Sequence, residues 1–189
     1  MEVVFNRHRP DIIVVDNFYK DPDIISSPLA VGKFKEVPNH YKGLRSRPHL
    51  MPFVKEEFER LLGVQITDWM DQPYNGCFQL TKASDPLVWH SDTQDYAAAV
   101  YLTKDAEDMG TSFWKHIQTG HRLPPSTNEE CAEVYSEYNL THPDNWKLID
   151  KVGAVYNRLV IWNAKMIHSA SEYSSDKDRL VQLFFFSVR

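Results

Sequence analysis

Residues 74–102 read YNGCFQLTKASDPLVWHSDTQDYAAAVYL and hold three apolar segments divided by polar turns. The segments are 74–80, 87–90 and 96–102. Their short length and their content of aromatic and branched residues are typical of β-strands. More segments of this kind follow along the chain, at 111–114, 152–156, 158–162 and 180–188. Many short strands separated by turns predict an antiparallel sandwich or barrel.

Helical signals precede this series of strands. A first strand is predicted at 11–18 and is followed by a helix start at Asp21-Pro22. Residues 34–52 contain prolines and several basic residues, which indicates an extended loop. A second helix is predicted at 53–62, because proline opens helices readily and a glycine follows at position 63. The order of elements predicts an α+β fold.

Residues 115–150 interrupt the strand rhythm with Pro124-Pro125 and a helix-capping pattern from Thr127 to Glu130. We interpret them as one long insertion into a single domain that spans 1–189. Long loops in compact domains are often functional, so this insertion is a candidate lid over a site. The alternative is a surface excursion that shields the edge of the sheet.

Composition limits the classes of function. The 21 basic and 26 acidic residues give a net charge of -5, which disfavours nucleic acid as a partner. No apolar run is long enough to span a membrane, and the N-terminus lacks the pattern of a signal peptide, so a cytoplasmic location is expected. The basic segment 41–47, YKGLRSR, is either a contact for an acidic group of a substrate or a solvated surface.

Four polar residues beside predicted strands are candidates for a functional site. His90 and Asp92 are two apart and therefore share one face of a strand. His168 and Arg179 follow near later strands. Two histidines and one carboxylate form a facial triad that suits ferrous iron and leaves positions open. An arginine nearby can hold a carboxylate through two parallel hydrogen bonds. The pattern predicts a site for a metal and an acid-bearing co-substrate.

The order His90-x-Asp92, then His168, then Arg179 resembles the iron(II)- and 2-oxoglutarate-dependent dioxygenase superfamily. Residues 110–113 (GTSF) resemble the glycine-rich turn and strand that follow the first ligands in that superfamily. The segment 157–162 (NRLVIW) resembles an uncharacterised bacterial and phage-type subgroup. The resemblance covers most of the chain. It implies a double-stranded β-helix, or jelly roll, with N-terminal helices packed on one sheet and the long insertion near the site.

The resemblance also implies roles for individual residues. His90, Asp92 and His168 would bind Fe(II), and Arg179 would pair with the far carboxylate of 2-oxoglutarate. Further contacts to this co-substrate are expected from a set of polar strand residues, which are otherwise ordinary members of the sheet: Gln79, Tyr74, Tyr101 and Ser169. Because halogenating members lack the carboxylate, Asp92 favours hydroxylation with molecular oxygen. The expected substrate is a small molecule, an amino acid or a residue within a peptide.

Other classes of protein fit the sequence less well. A cupin-like metal enzyme would show a His-x-His pair followed by a glutamate, and the sequence has no such pattern. A binding module that keeps the barrel without catalysis is the second alternative, and the intact triad argues against it. Nucleic-acid repair is an alternative within the oxygenase class. The primary substrate and the oligomeric state are left open by the sequence.

Overall fold

The structure is a computed structural model that describes residues 9–36, 43–174 and 176–189. The elements of these residues are β1 (Ile12–Val15), α1 (Pro22–Ile25), α2 (Pro28–Val31), β2 (Lys35–Glu36), β3 (Leu44–Pro48), α3 (Pro52–Leu62), β4 (Cys77–Thr81), β5 (Tyr96–Tyr101), β6 (Thr111–His116), α4 (Asn128–Val134), β7 (Trp146–Val152), β8 (Leu159–Asn163), β9 (His168–Ala170) and β10 (Arg179–Phe186). Two short 3-10 helices, Asn139–Thr141 and Pro143–Asn145, lie before β7.

The strands form two antiparallel sheets that face each other. The larger sheet has the order β1-β8-β5-β10-β4-β3-β2, and the smaller has the order β7-β6-β9. Side chains of β5, β8 and β10 share one buried cluster with Phe113 of β6 and Val152 of β7, so this inner core lies between the sheets. The fold is therefore mostly β with few helices and resembles a jelly roll, the core that the family resemblance implies.

A second core lies on the outer face of the larger sheet. Helix α3 buries Val54, Phe58 and Leu62 there. Its amphipathic pattern explains this, since three apolar residues spaced by about one turn of helix fall on one side. The Phe58 ring lies 5.2 Å from the ring of Phe184 and 5.7 Å from that of Trp69, both centroid to centroid. This cluster fixes the sheet from which several site residues project.

Some predicted boundaries are wrong. Part of the segment 34–52, which was predicted to be an extended loop, forms β2 and β3. Residues 37–42 lie outside the described residues, and they include the first two residues of the basic segment 41–47. The strand predicted at 152–156 instead ends at Val152 and begins at Trp146. The insertion between β6 and β7 is consequently 117–145 rather than 115–150. Within the described part of the chain, no helix is long and apolar enough to cross a membrane.

Candidate metal centre

Two backbone hydrogen bonds bring the predicted histidines together. The His90 N–H donates to the carbonyl of His168 at 3.0 Å, and the His168 N–H donates back at 2.8 Å. This isolated β-bridge pairs His90 with β9, the strand at the edge of the smaller sheet. The two imidazole rings lie 4.4 Å apart. Residues 78 positions apart in the sequence are thus held side by side by sheet pairing.

Backbone carbonyls orient both imidazoles. His90 Nδ1 lies 3.0 Å from the carbonyl of Val88, and His168 Nδ1 lies 2.8 Å from that of Met166. A carbonyl only accepts, so each Nδ1 must donate, and a neutral ring then presents its lone pair at Nε2. Such a hydrogen bond is the usual way in which a protein fixes a metal-binding histidine.

Asp92 completes the group. Its Oδ1 lies 3.9 Å from His90 Nε2, and its Oδ2 lies 3.4 Å from His168 Nε2. The ligand atoms of the three residues all lie within 4.8 Å of one another. The Asp92 N–H donates to the Ala164 carbonyl at 2.8 Å, which fixes the backbone that carries the carboxylate.

The electrostatics of the group suit a cation. The Asp92 side chain is 9% exposed, and its Oδ2 has no hydrogen-bond partner among the described residues. Burial alone would raise the pKa of Asp92, but its contact with His168 holds the pKa below the ordinary value. The surrounding protein and the nearby His168 lower the pKa of His90, although 40% of its side chain remains exposed. An ionised carboxylate and two imidazole Nε2 atoms that converge on one point fit a divalent metal.

Arg179 lies at the start of β10, 5% exposed. Its Nε donates to the Met109 carbonyl at 2.6 Å, and its Nη2 donates to the Gly110 carbonyl at 3.3 Å. No carboxylate of the described residues forms an ion pair with it. A side chain at position 110 would collide with the carbonyl of Val152, so glycine is needed where this turn passes β7. A buried guanidinium without a carboxylate is a favourable place for an anionic ligand.

The other predicted contacts fall in different places. Tyr101 lies beside Arg179, whose Cζ is 5.7 Å from the centre of its ring, and its hydroxyl donates to Thr111 Oγ1 at 2.8 Å. Gln79 lies on β4 opposite Val181 of β10. Ser169 lies away from this group, because its hydroxyl accepts from Trp114 Nε1 at 2.9 Å and donates to the carbonyl of Ala170.

Arg45 is a charged residue near the site that the sequence did not single out. It lies on β3 opposite Gln79, and the guanidinium carbon is 5.4 Å above the ring of Tyr74. Tyr74 itself has a positive φ of 65°, a conformation that non-glycine residues seldom adopt. The sequence feature that could have pointed to Arg45 is the basic segment 41–47, but this feature does not indicate that Arg45 is buried.

The insertion 117–145 contacts both segments that carry the candidate ligands. The hydroxyl of Tyr135 lies 2.8 Å from that of Ser91, which stands between the candidate ligands His90 and Asp92. The Ile167 N–H, next to His168, donates to the Arg122 carbonyl at 2.9 Å. The insertion is therefore attached to the site by hydrogen bonds on two sides.

Several solved structures have a fold similar to that of this chain. HygX from Streptomyces hygroscopicus with nickel and 2-oxoglutarate bound is similar to this chain with a TM-score of 0.59 and 17% identity, over 94% of this chain and 82% of HygX. HygX with nickel, 2-oxoglutarate and hygromycin B bound gives a TM-score of 0.57 and 16% identity over the same shares of the two chains. EvdMO1 gives 0.53 and 13%, over 95% of this chain and 47% of EvdMO1.

At these identities the similarity shows the fold alone, and this fold agrees with the jelly roll that the sequence resemblance implies. A search of the curated proteins found no match to the chain. The chain belongs to DUF6445, a family of unknown function, whose model matches residues 2–177.

Proposed function

We propose that this protein is an iron(II)- and 2-oxoglutarate-dependent oxygenase of the hydroxylating type. One observation carries the proposal: two Nε2 lone pairs and the unpartnered Oδ2 of Asp92 converge at a single point inside a jelly-roll fold. Two imidazoles and one carboxylate on one side of a metal leave the opposite positions open. Iron bound there would supply the redox chemistry with oxygen, which amino-acid side chains do not provide.

His90, Asp92 and His168 would hold the metal, each for a reason visible in its surroundings. The carbonyls of Val88 and Met166 keep both rings turned with Nε2 inward. Preorganised ligands of this kind bind a metal without a large conformational cost.

Arg179 would hold the far carboxylate of 2-oxoglutarate. Burial and the absence of an ion pair with any described carboxylate support this role. Tyr101 beside it would shape the same pocket, and burial raises the pKa of its hydroxyl, so that the group stays neutral. Gln79 and Tyr74 are proposed to line the barrel further along the sheet. Ser169 would act indirectly, through the sheet that carries His168.

The substrate is proposed to be a small molecule, an amino acid or a residue within a peptide. HygX, which has this fold, has been solved with the small molecule hygromycin B. The whole chain would act as one domain, and the insertion 117–145 would border the opening through which the substrate enters. The hydrogen bond between Tyr135 and Ser91 supports that placement.

An anaerobic titration tests the proposal. Ferrous iron and then 2-oxoglutarate are added to the protein, and the visible charge-transfer band of the chelate is recorded. We expect a band in the wild type, no band in His168→Ala and a band in Arg179→Ala that needs more 2-oxoglutarate. His121→Ala is the matched control, because His121 lies in the insertion, where its Nε2 is 3.9 Å from a carboxylate oxygen of Glu130. A wild type that shows no band and binds no iron would refute the proposal.

A further inference from the structure

Two of the candidate metal ligands lie on a segment with little regular structure. Residues 82–95, all of which the structure describes, connect β4 to β5 and contain one isolated β-bridge, at His90, but no helix and no strand. Such a segment has no hydrogen-bonded ladder of its own to hold His90 and Asp92 in place. Its position therefore depends on contacts from other parts of the chain.

The insertion 117–145 supplies two of these contacts directly. The hydroxyl of Tyr135 is hydrogen-bonded to that of Ser91 at 2.8 Å, a normal length for such a bond. The carbonyl of Leu140 accepts from the Trp89 N–H at 3.4 Å. Trp89 and Ser91 are the immediate neighbours of His90 in the chain, so the insertion holds the chain on both sides of this candidate ligand.

The insertion also packs against the residue that precedes each candidate histidine. Trp89 precedes His90, Ile167 precedes His168, and both belong to one buried cluster with Val134 of α4. The Val134 and Ile167 side chains are fully buried. Because protein interiors are closely packed, a displacement of α4 would be transmitted to the neighbours of both histidines.

Tyr135 itself is held at the end of a well-capped helix. Helix α4 begins with the capping pattern that the sequence predicts, since the Thr127 hydroxyl accepts from the Glu130 N–H at 3.3 Å and donates to the Glu130 carboxylate at 2.9 Å. The helix ends at Tyr135, whose N–H donates to the Cys131 carbonyl at 2.9 Å. Both ends of the helix are thus fixed, and the Tyr135 hydroxyl is a well-placed partner for Ser91.

We propose that the insertion is a supporting part of the metal centre and that Tyr135 is a positioning residue. It holds the segment 90–92, through Ser91, in the conformation that binds the metal. The inference rests on the proposed function, because it takes His90, Asp92 and His168 as the metal site. The apparent affinity for a ligand falls with the fraction of the protein that has the binding conformation. Loss of the Tyr135 hydroxyl should therefore weaken metal binding although every ligand is still present.

The same coupling must act in the opposite direction. If the hydrogen bond between Tyr135 and Ser91 favours metal binding, then metal binding favours the attached position of the insertion to the same extent. A helix as short as α4 depends on its contacts with the rest of the protein. A bound metal should therefore slow the hydrogen exchange of the backbone amides of α4. A tyrosine that only stabilised the fold would not produce this link.

Cobalt(II) is the probe, because its visible absorption depends on the geometry of its ligands. It is titrated alone, without 2-oxoglutarate, into the wild type, Tyr135→Phe, Ser91→Ala and the double variant, and the absorption gives each Kd. Tyr156→Phe is the matched control, because it removes a tyrosine hydroxyl that donates to Asp23 and takes no part in the proposed site. Thermal melts show whether each variant is folded.

Tyr135→Phe should raise the Kd of cobalt(II) about fivefold, since it removes one partly buried hydrogen bond. Ser91→Ala should have an effect of similar size. Because both variants remove the same hydrogen bond, the double variant should bind no more weakly than the weaker single variant. Tyr156→Phe should bind cobalt(II) as the wild type does. Cobalt(II) should slow the hydrogen exchange of α4 in the wild type, and less so in Tyr135→Phe.

Three results would overturn the inference. In the first, Tyr135→Phe changes the Kd by less than about twofold. In the second, the effects of the two single variants add in the double variant, so that the two hydroxyls act independently. In the third, cobalt(II) leaves the exchange of α4 in the wild type unchanged.

The failure of the inference is distinguishable from that of the proposed function. If Tyr135→Phe does not fold, the Kd of Ser91→Ala and the hydrogen exchange of the wild type decide. A wild type that binds no cobalt(II) would refute the proposed function together with the inference. A wild type that binds cobalt(II) and gives any of the three results would refute the inference alone.

Discussion

Replacement of Arg179 by glutamine measures how much of the affinity for 2-oxoglutarate depends on this guanidinium. A guanidinium has five N–H donors. The structure uses two, one from Nε to Met109 at 2.6 Å and one from Nη2 to Gly110 at 3.3 Å. Both donors of Nη1 and one of Nη2 are left, which is enough for a two-point contact with a carboxylate.

The size of the effect follows from those two contacts. Each hydrogen bond to a charged group contributes about 1.5–3 kcal/mol, so the loss of two should cost at least about 3 kcal/mol. Arg179→Gln should therefore raise the Kd of 2-oxoglutarate about a hundredfold or more. Arg179→Lys keeps the charge and one contact, so its Kd should rise only about tenfold.

Anaerobic calorimetry of the iron-loaded protein gives the Kd values, and thermal melts show whether each variant is folded. Arg158→Gln is the matched control, because Arg158 pairs with Asp16 at 2.6 and 3.0 Å and takes no part in the proposed site. An Arg179→Gln variant that binds 2-oxoglutarate within about threefold of the wild type would contradict the assignment.

Three further predictions concern stability and the support of the site. Phe58→Ala removes a fully buried ring and should lower the free energy of unfolding in urea by about 3–5 kcal/mol; a loss below about 1 kcal/mol would contradict the packing. The Ile66 N–H, as the main cause, holds the pKa of Glu59 below its ordinary value. The stabilisation from Glu59 should then be present above about pH 4.3 and be lost as the pH falls through the lower folded value. Glu59→Gln should accordingly cost about 1 kcal/mol at pH 7 and progressively less towards pH 3, and an equal cost at both pH values would refute this. Gly110→Ala should weaken both folding and 2-oxoglutarate binding, because the new methyl group displaces the turn whose carbonyls hold Arg179; unchanged affinity would show that the turn does not position the arginine.

The candidate ligand triad was accessible from the sequence because its signal is mostly local. His90 and Asp92 lie two residues apart, and the strand beside His168 has a clear apolar pattern. Their pairing across the smaller sheet then follows from the order of strands in a jelly roll. That the three residues bind iron remains a prediction, which the geometry supports and the titration tests.

Other parts were not accessible because they depend on distant contacts. The exposed residues of β7 run without interruption from Lys147 to Lys151, so the alternation that identifies a half-buried strand is missing there. Because basic residues are seldom fully buried, the sequence indicated that Arg45 belongs to a surface loop, whereas it is buried in the structure. Trp114, the hydrogen-bond partner of the Ser169 hydroxyl, is 55 residues away, so no local sequence pattern predicts this contact.

The two faces of the larger sheet have different roles: the outer face packs the core that stabilises the fold, and the inner face borders the proposed site. The outer face packs large rings such as Phe58 and Phe184. The inner face of β5 carries Ala97 and Ala99 in the core between the sheets. The small side chains of Ala97 and Ala99 leave space between the sheets for side chains from other strands. Arg45 and Arg179 can therefore lie in this interior. Substitutions on the outer face should therefore change the free energy of unfolding and leave the Kd of 2-oxoglutarate in the folded fraction unaltered. Substitutions that enlarge Ala99 should weaken 2-oxoglutarate binding, and a larger side chain at that position without such an effect would show that the binding pocket lies elsewhere.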